Sequence, residues 1–467
     1  MTIWKPELPA GVTRYRALAD AIAAAVASGE LEPGQRLPPQ RRLADTLGVT
    51  VGTITRGYDE AERRGLLEAR VGSGTYVKDR RASAPGFRHV SVEPSATAGE
   101  LIDLSLSLPP PHPQRPAGLG EVLAALADDP SALQAAVDYQ SEHGTPAHRR
   151  ALADWLTRLG LPMVADELTI TLGGQHAIFL ALQALTQPGE RIAAAALTYP
   201  GAIAAAQQCH LKLQRIPLDD QGLDVEALAR LCQQQPPRLV YLTPEQNNPT
   251  GAQLSEARRE RLVELARRYD FWLIEDGVQY LPPEARGRPL YLRAPERTLY
   301  LFSTSKVIAG GLRIGLLRAP PTLQERLASA QRAQSWMVPP LMVEVVCRWI
   351  DSGAAERLLG WQLDEIAARQ RLARQRLAAF APSGQPHGFH LWLELPNGWR
   401  AAALIEQLER QGVRVTSAEP FCVGSEPAPQ AIRLCVSAAA DRETLERALK
   451  IIADTLAAPP ASPWRTL

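Results

Sequence analysis

LFSTSKVIAGGLRIGLL, the stretch Leu301–Leu317, places Lys306 on a short polar segment between two apolar runs. The run Thr298–Phe302 leads into this segment and Ile314–Leu317 leads out of it, so the pattern predicts a loop between two buried strands. A lysine held against apolar walls loses the solvation of its ammonium form, which lowers its pKa and makes it a competent imine-forming amine. The stretch therefore predicts a reactive lysine at the end of a buried strand.

The residues around this lysine suit a phosphate group. Ser303 and Ser305 place hydroxyls shortly before Lys306, and Arg313 places a guanidinium shortly after it. An imine-forming lysine beside a phosphate site is the pattern expected for pyridoxal 5'-phosphate, a phosphorylated aldehyde. A solvated loop lysine is the alternative that this stretch alone leaves open.

Composition and charge exclude several classes of protein. The chain has 467 residues, which predicts two or three domains. Its 45% hydrophobic and 22% charged residues are typical of a soluble globular protein. The net charge of +1 predicts no general attraction to polyanions, so any contact with nucleic acid is expected to be local.

Cysteine spacing and apolar runs indicate neither a metal site nor a membrane span. The five cysteines show no CxxC or Cys/His spacing, so no metal site and no disulfide framework is predicted. No apolar run approaches the roughly 20 residues that a membrane span requires. Met1–Pro9 carries charged residues and prolines where a signal peptide would be apolar. We therefore expect a cytoplasmic protein.

The first eighty residues predict a winged helix-turn-helix. Helical spacing and stop signals predict helices over Tyr15–Ser28, Gln40–Leu47 and Val51–Arg64. Leu66–Arg70 and Gly74–Val77 then read as two short strands around a glycine-rich turn. Three helices followed by a small hairpin are typical of this fold.

The second helix of such a pair enters the major groove by its N-terminal residues, and the wing tip approaches the minor groove. Residues 1–80 carry 12 Lys+Arg against 10 Asp+Glu, a weak excess that leaves a protein-interaction module open. Candidate contacts to double-stranded DNA are hydroxyls, guanidinium groups and wing glycines, namely Thr50, Thr53, Thr55, Arg36, Arg41, Arg42, Arg56, Gly72 and Gly74.

The segment PGQRLPPQRRLADTLGVTVGTITRGYDEAERRGLLEARVGSGTYV closely resembles the DNA-binding domain of GntR-type bacterial repressors, over nearly all of residues 1–78. The resemblance implies that Arg41 is the contact arginine on the first helix of the pair. Val51 and Gly52 depart from the polar or basic residues that many members place after the helix cap. This departure affects the expected base preference and not the fold.

Residues 79–100 predict a linker. The segment is polar, contains Pro, Gly, Ser and Ala, and shows no apolar periodicity, which is typical of a flexible connector. A strand bound on the surface of the next domain is the alternative.

Helices and apolar strands alternate from Leu101 onward, which predicts an α/β domain with a mainly parallel sheet over residues 101–330. Ligands of such sheets bind at the carboxyl ends of the strands. The predicted strands are Leu168–Leu172, Arg191–Ala195, Lys212–Ile216, Arg238–Thr243, Phe271–Glu275, Thr298–Phe302 and Ile314–Leu317.

Candidate site residues follow these strands. Gly174 and Gln175 open a helix whose N-terminus can hold a phosphate, although glycines there often only form the turn. Tyr199 could stack on a planar ring or simply pack in the core. Asn248 could donate to a phenolic oxygen or belong to an ordinary turn. Asp276 can pair with a protonated pyridine nitrogen.

In this order, these features resemble the fold-type I aminotransferases over roughly residues 101–457. The resemblance implies that Lys306 forms the internal aldimine, Asp276 contacts the pyridine nitrogen, Asn248 contacts the ring oxygen and Tyr199 stacks on the ring. The groups that it implies for the phosphate are Gly174, Gln175, Ser303, Ser305 and Arg313.

Tyr139 bears on whether the chain forms a dimer, and Tyr280 bears on whether the site is suited to transamination. Tyr139 resembles the family tyrosine that reaches the phosphate of the neighbouring subunit, which implies a homodimer. The family usually places a tyrosine that donates to the ring oxygen two or three residues after the aspartate. Here Val278 and Gln279 take those positions and Tyr280 comes one later, so tuning for transamination is in question.

Residues 331–467 predict a helical connection and a small α+β domain. Long amphipathic helices over Trp336–Ser352 and Arg357–Phe380 precede strands at Phe389–Leu395, Val413–Ser417 and Ala431–Ser437. The segments HGFHLWLELP and GVRVTSAEPF resemble the small domain of the same family. By that resemblance Arg433 clamps a substrate or effector carboxylate, with a strand-edge ion pair as the alternative.

A GntR-type winged helix fused to an aminotransferase-like domain resembles the MocR family of bacterial regulators. The resemblance implies a transcriptional regulator that binds pyridoxal 5'-phosphate at Lys306. It would sense the cofactor, or a small amino compound, through external aldimine formation. A small-domain shift would then reach the operator-binding heads through the linker. A catalytically active aminotransferase that carries a DNA-binding domain is the alternative, and an unliganded dimerisation scaffold is another.

Overall fold

The computed structural model describes residues 4–9, 13–70, 74–78, 101–424 and 426–458. Among these residues the chain divides into two compact units. The smaller unit contains the described residues before 79 together with the short segment 426–429, and the larger one contains the other described residues from 101 onward. No helix in the described part of the chain is long and apolar enough to cross a membrane.

The smaller unit is a winged helix-turn-helix, as predicted. Its elements are α1 (Arg14–Ser28), α2 (Gln40–Leu47), α3 (Val51–Arg63), β1 (Leu67–Arg70) and β2 (Gly74–Val77). Gly29 ends α1 with a φ of 80°, a conformation that glycine adopts without strain. Thr50 caps α3 because its side chain accepts the backbone N–H of Thr53 at 3.2 Å.

The core of this unit forms where α1 crosses α3. A Cβ on Gly57 would lie 2.6 Å from Cδ2 of Leu18, so the two helices approach each other too closely for any larger residue there. The buried Tyr58 donates its hydroxyl to the Pro38 carbonyl at 2.9 Å, which ties α3 to the turn before α2. In the wing, β1 and β2 pair antiparallel, and the Leu37 N–H donates to the Thr75 carbonyl beside them.

The larger unit contains a seven-stranded sheet and a second, smaller sheet. The strands are β3 (Ile102–Asp103), β4 (Leu168–Thr171), β5 (Arg191–Ala195), β6 (Lys212–Ile216), β7 (Leu218–Asp219), β8 (Gly222–Leu223), β9 (Leu239–Leu242), β10 (Trp272–Asp276), β11 (Thr298–Ser303), β12 (Gly315–Arg318), β13 (Leu391–Glu394), β14 (Val413–Arg414), β15 (Thr416–Ser417) and β16 (Ala431–Leu434). The large sheet has the order β4-β12-β11-β10-β9-β5-β6. Its pairs are parallel except those that β12 makes with β11 and β4, so the predicted mainly parallel sheet is confirmed.

Helices cover this sheet and connect it to the C-terminal part. They are α4 (Gln114–Ala127), α5 (Pro130–Val137), α6 (Pro146–Arg158), α7 (Gly173–Leu185), α8 (Pro200–Gln208), α9 (Val225–Gln234), α10 (Glu256–Tyr269), α11 (Gln324–Gln334), α12 (Pro340–Asp351), α13 (Ala354–Arg376), α14 (Ala401–Arg410) and α15 (Arg442–Ala457). The helix predicted from Trp336 begins only at Pro340. Trp336 has a φ of 63°, a left-handed conformation that cannot belong to a right-handed helix. Pro340 then takes the first helical position, where a proline is favoured.

Strand register gathers the predicted site at one edge of the large sheet. Gly315 of β12 pairs with Ser303 of β11 on one side and with Thr171 of β4 on the other. Because β12 runs against its neighbours, its first residue lies beside their last residues. The turn that carries Lys306, the start of α7 and the residue Arg313 therefore converge.

The C-terminal part is a small α+β domain with an antiparallel sheet of order β13-β16-β15. The strand predicted over Val413–Ser417 is two strands, because β14 leaves this sheet and pairs parallel with β3 instead. Leu104, just after β3, is fully buried in the same hydrophobic core as Leu391, Ile432 and Leu449. The chain therefore enters the larger unit through the C-terminal domain before it forms the large sheet.

Candidate functional site

Lys306 lies in a single turn of 3-10 helix, Thr304–Lys306, directly after β11. Its Nζ donates to the Ser107 carbonyl and lies 5.6 Å from the centre of the Phe389 ring. Burial lowers the pKa of this amine from 10.5 to about 8, and the nearby Arg433 charge acts in the same direction. At neutral pH a far larger fraction of Lys306 than of an ordinary lysine is therefore the free, nucleophilic amine, although the ammonium form still predominates at pH 7.

Asp276 is the last residue of β10 and is buried. Its Oδ2 accepts the Tyr241 hydroxyl at 2.6 Å and its Oδ1 accepts the Val278 N–H at 3.0 Å. Burial raises the pKa of the carboxyl, while these hydrogen bonds and the Lys306 charge oppose that effect. The arrangement can hold a carboxylate toward a cationic ring nitrogen.

Arg433 on β16 reaches from the small domain to the turn that follows β9. Its Nη1 donates to Oδ1 of the buried Asn248 at 2.8 Å, and its Nη2 donates to the Ser105 carbonyl at 2.6 Å. The guanidinium lies 4.7 Å from the Phe421 ring centre, and its Nε is buried without a partner among the described residues. The predicted ring-oxygen and carboxylate residues are thus direct neighbours.

The N-terminus of α7 forms a tight backbone cradle. Gly173 has a φ of 78°, and a Cβ there would lie 2.5 Å from Nη2 of Arg313. A Cβ on Gly174 would lie 2.9 Å from Cγ2 of Val278. Gln175 donates its Nε2 to the Gly201 carbonyl at 2.9 Å and leaves its buried Oε1 without a partner in the described residues. Free N–H groups at such a helix end suit a phosphate.

Two hydroxyls and a guanidinium stand beside this cradle. Ser303 donates to Oγ of Ser305 at 2.9 Å and accepts the Ser305 N–H at 3.2 Å. Arg313 is exposed, and its Nη2 donates to the Leu172 carbonyl at 3.2 Å. All three predicted phosphate residues therefore lie at the same sheet edge as Lys306.

The two predicted tyrosines occupy different environments. Tyr199 stands at the N-cap position of α8 and is half-buried, and desolvation raises the pKa of its hydroxyl to about 12, with the nearby Asp276 charge adding to the effect. Tyr139 is 83% exposed, and its ring makes an edge contact with Trp336 at 6.2 Å between centres. Tyr139 therefore does not join the site of its own chain.

Sequence reasoning missed Tyr241 and Ser105. Tyr241 interrupts the otherwise aliphatic buried strand β9, and a buried tyrosine usually needs a partner for its hydroxyl, so a signal was present. The partner itself was not predictable, because Asp276 lies on the neighbouring strand. Ser105 acts only through its backbone carbonyl, which no side-chain pattern reveals.

Tyr280, the tyrosine one position later than the family pattern, turns away from the site. Its hydroxyl donates to the Leu159 carbonyl at 3.1 Å, and its ring is buried with the core residues Trp155 and Tyr291. It cannot donate to a ring oxygen beside Asp276 in this position.

The candidate DNA-binding residues of the smaller unit are mostly exposed. Arg41 and Arg42 project from the first turn of α2, and Arg56 projects from α3. The hydroxyls of Thr50 and Thr53 lie 2.9 Å apart at the start of α3, where free N–H groups favour phosphate.

The remaining predicted contacts differ in their surroundings. Thr55 donates to Oε1 of Gln40 at 2.7 Å, so its hydroxyl already links α3 to α2. The Arg36 guanidinium packs over Gly74, where a Cβ would lie 2.8 Å from Nε. Gly72 lies outside the described residues.

Comparison with known families assigns both parts of the chain. Residues 110–452 match the family "Aminotransferase class I and II", and residues 14–77 match "Bacterial regulatory proteins, gntR family".

Known proteins show both similarities. The chain is 29% identical to the uncharacterized HTH-type transcriptional regulator YdeF of Bacillus subtilis (strain 168), with 96% of each chain covered. It is 27% identical to the probable rhizopine catabolism regulatory protein MocR of Rhizobium meliloti, over 68% of this chain and 67% of that protein. A crystal structure of the Pyrococcus horikoshii kynurenine aminotransferase in complex with PMP matches with a TM-score of 0.68 and 26% identity, over 77% of this chain and 91% of the other.

Proposed function

Because the chain belongs to the aminotransferase class I and II family and also carries a gntR-family regulatory domain, we propose that it is a DNA-binding transcriptional regulator that senses pyridoxal 5'-phosphate or an amino compound that reacts with it. The observation that carries the proposal is the presence of the buried Lys306 site and a winged helix-turn-helix on one polypeptide. A DNA-binding function would place the protein in the cytoplasm.

The described residues fit pyridoxal 5'-phosphate. When bound, this cofactor supplies an electrophilic aldehyde and an electron-withdrawing ring. Lys306 offers an amine with a pKa of about 8, and Asp276 offers a buried carboxylate for the ring nitrogen. The glycines at the start of α7 leave room that a Cβ would fill, and the buried Oε1 of Gln175 lacks a partner among the described residues.

The position of Tyr280 favours sensing over efficient turnover. Its hydroxyl is held by the Leu159 carbonyl, so Asn248 is left to contact the ring oxygen without a tyrosine donor beside it. An aminotransferase that carries a DNA-binding domain remains the second candidate, because Lys306, Asp276 and Arg433 are all in place.

The segment Ser105–Ser107 offers a route from the site to the DNA-binding unit. Arg433 donates to the Ser105 carbonyl and Lys306 donates to the Ser107 carbonyl. An effector carboxylate that bound Arg433 would compete with the Ser105 contact and loosen this segment, which follows residues 79–100 in the chain. Such a change counts as allostery only if the ligand binds the released arrangement better.

We further propose that two copies associate through the surface around Tyr139. Val137, Tyr139 and Trp336 are 78%, 83% and 58% exposed, an apolar group that an isolated chain rarely leaves in water. A dimer would bring Tyr139 to the phosphate site of the other copy. Tyr139→Ala is expected to weaken self-association in sedimentation experiments and to weaken cofactor binding with it.

The central test is a spectral titration of the full-length protein with pyridoxal 5'-phosphate. The wild type should develop a visible absorbance band that borohydride reduction abolishes, while Lys306→Ala should lack it and the exposed control Lys212→Ala should retain it. Amino compounds should then change both this band and the affinity for operator DNA. No band in the wild type would refute the cofactor assignment, and steady product formation with unchanged DNA affinity would favour the enzyme.

A further inference from the structure

We propose that Tyr241 is a positioning residue that keeps the Asp276 carboxylate ionised and aimed at the ring nitrogen of the cofactor. This inference rests on the proposed cofactor site and assigns to it a residue on a different strand. Tyr241 lies in the middle of β9, which runs parallel to β10, and its Cα pairs with that of Ile274. The tyrosine thus reaches diagonally to Asp276 at the end of the neighbouring strand.

The contact between Tyr241 and Asp276 is short and excluded from solvent. The Tyr241 hydroxyl donates to Oδ2 of Asp276 at 2.6 Å, and Tyr241 is only 2% exposed. The range expected for a hydroxyl that donates to a carboxylate is about 2.5–2.7 Å, shorter and stronger than a neutral pair. Val278 donates its N–H to the other oxygen at 3.0 Å, so each carboxylate oxygen has one donor.

The surrounding charges show why this donor matters. Burial raises the pKa of Asp276, and the charged group that opposes this from outside β10 is the Lys306 ammonium. With the cofactor bound, the Tyr241 hydroxyl and the Val278 N–H would be the donors from the protein that hold the carboxylate in place beside the ring nitrogen. Tyr199 also faces Asp276, and the carboxylate raises the pKa of its hydroxyl.

Tyr241 itself stays neutral in this environment. Desolvation and the adjacent carboxylate raise the pKa of its hydroxyl well above the usual value of 10. It therefore remains a hydrogen-bond donor over the accessible pH range and does not compete with Asp276 for the negative charge. Loss of the hydroxyl removes one donor without adding or removing a charge.

The test compares Tyr241→Phe with the matched control Tyr280→Phe in full-length protein. Both variants delete one buried hydroxyl, but the Tyr280 hydroxyl donates to the Leu159 carbonyl, away from Asp276. Tyr241→Phe is expected to weaken pyridoxal 5'-phosphate binding about tenfold at neutral pH, the order of magnitude expected when one hydrogen bond to a charged group is lost. The acid limb of the binding profile should move to higher pH, because the carboxyl then takes up its proton sooner. Tyr280→Phe should leave both quantities near the wild-type values.

Two further measurements separate positioning from a general structural effect. An analogue with carbon in place of the ring nitrogen should bind Tyr241→Phe and wild type equally. In an Asp276→Asn background, Tyr241→Phe should have no additional effect, because the two residues act as one unit.

Three results would each overturn the role of Tyr241. The first is an equal loss of affinity for the analogue and the cofactor, and the second is an additive loss in the double variant. The third is matching behaviour of the Tyr241→Phe and Tyr280→Phe variants. Failure of the proposed function has a different signature, because the wild type itself would then show no borohydride-sensitive band, and the inference would fall with it.

Discussion

Replacing Lys306 by methionine is expected to stabilise the cofactor-free protein at neutral pH. Among the described residues no carboxylate forms an ion pair with the lysine amine, and desolvation lowers its pKa from 10.5 to about 8. Folding therefore takes an ammonium group out of water at a cost that methionine, a residue of similar length, does not carry.

The magnitude follows from the two pKa values. Each pKa unit corresponds to about 1.4 kcal/mol, so a change from 10.5 to about 8 costs roughly 3 kcal/mol at pH 7. The contacts that Nζ makes with the Ser107 carbonyl and the Phe389 ring are lost in the variant, so the net gain at pH 7 is smaller.

The pH dependence of the stability difference separates the cost of desolvating the Lys306 ammonium from the loss of those contacts. Between pH 8 and 10.5 the unfolded chain binds more protons at this lysine than the folded chain, so the wild type gains stability as pH rises. The advantage of Lys306→Met should therefore shrink by roughly 1.3 kcal/mol between pH 7 and pH 9.

Urea unfolding of the larger unit, followed by tryptophan fluorescence at both pH values, measures this difference. Lys212→Met, at an exposed position on β6, is the matched control and should show no comparable change with pH. A Lys306→Met advantage that is absent at pH 7, or that stays constant between the two pH values, would refute the reasoning that Lys306 is a desolvated amine.

Three further outcomes test other parts of the molecule. Arg41→Ala should weaken operator binding by about 1–3 kcal/mol in fluorescence anisotropy and leave the cofactor band unchanged, whereas loss of both would contradict separable units. Gly57→Ala should destabilise the smaller unit by roughly 1–3 kcal/mol in thermal unfolding, because its Cβ would lie 2.6 Å from the Leu18 side chain. Gly52→Ala, with only a distant neighbour at 3.9 Å, should cost nothing. Arg433→Lys should weaken binding of amino acids about 10- to 100-fold but spare amines that lack a carboxylate, since lysine cannot reproduce the two-donor fork; equal losses for both ligand classes would argue against a carboxylate clamp.

Local patterns predicted most of the secondary structure. The strands Arg191–Ala195 and Lys212–Ile216 and the helix Gln40–Leu47 have the predicted bounds. Each combines a clear apolar period with a capping residue or turn at its end, so the local signal and the tertiary environment agree. The strand predicted over Val413–Ser417 failed because a uniform apolar pattern does not reveal that its two halves pair with different strands.

The positions of the candidate site residues were predictable where those residues lie at or after the ends of predicted strands. Asp276 is the last residue of a buried strand, and Lys306 and Asn248 lie in the segments that follow two others, so the parallel pairing of β9, β10 and β11 brings all three to one edge of the sheet. The direction of a side chain is a different matter. Tyr280 lies only four residues after Asp276, yet its hydroxyl is directed to Leu159, 121 residues away in the chain.

The sequence by itself determined the order of the two domains, and it predicted the candidate lysine and the residue types that suit a phosphorylated aldehyde, because these depend on local periodicity and on side-chain chemistry. Only the tertiary structure decided that Tyr241 supports Asp276 and that Arg433 meets the Ser105 carbonyl across 328 residues. Those contacts depend on strand order and on backbone groups. Because every residue except proline has the same backbone donor and acceptor, composition and spacing do not predict which backbone group a side chain contacts. The tertiary structure also desolvates the amine of Lys306, which lowers its pKa from 10.5 to about 8.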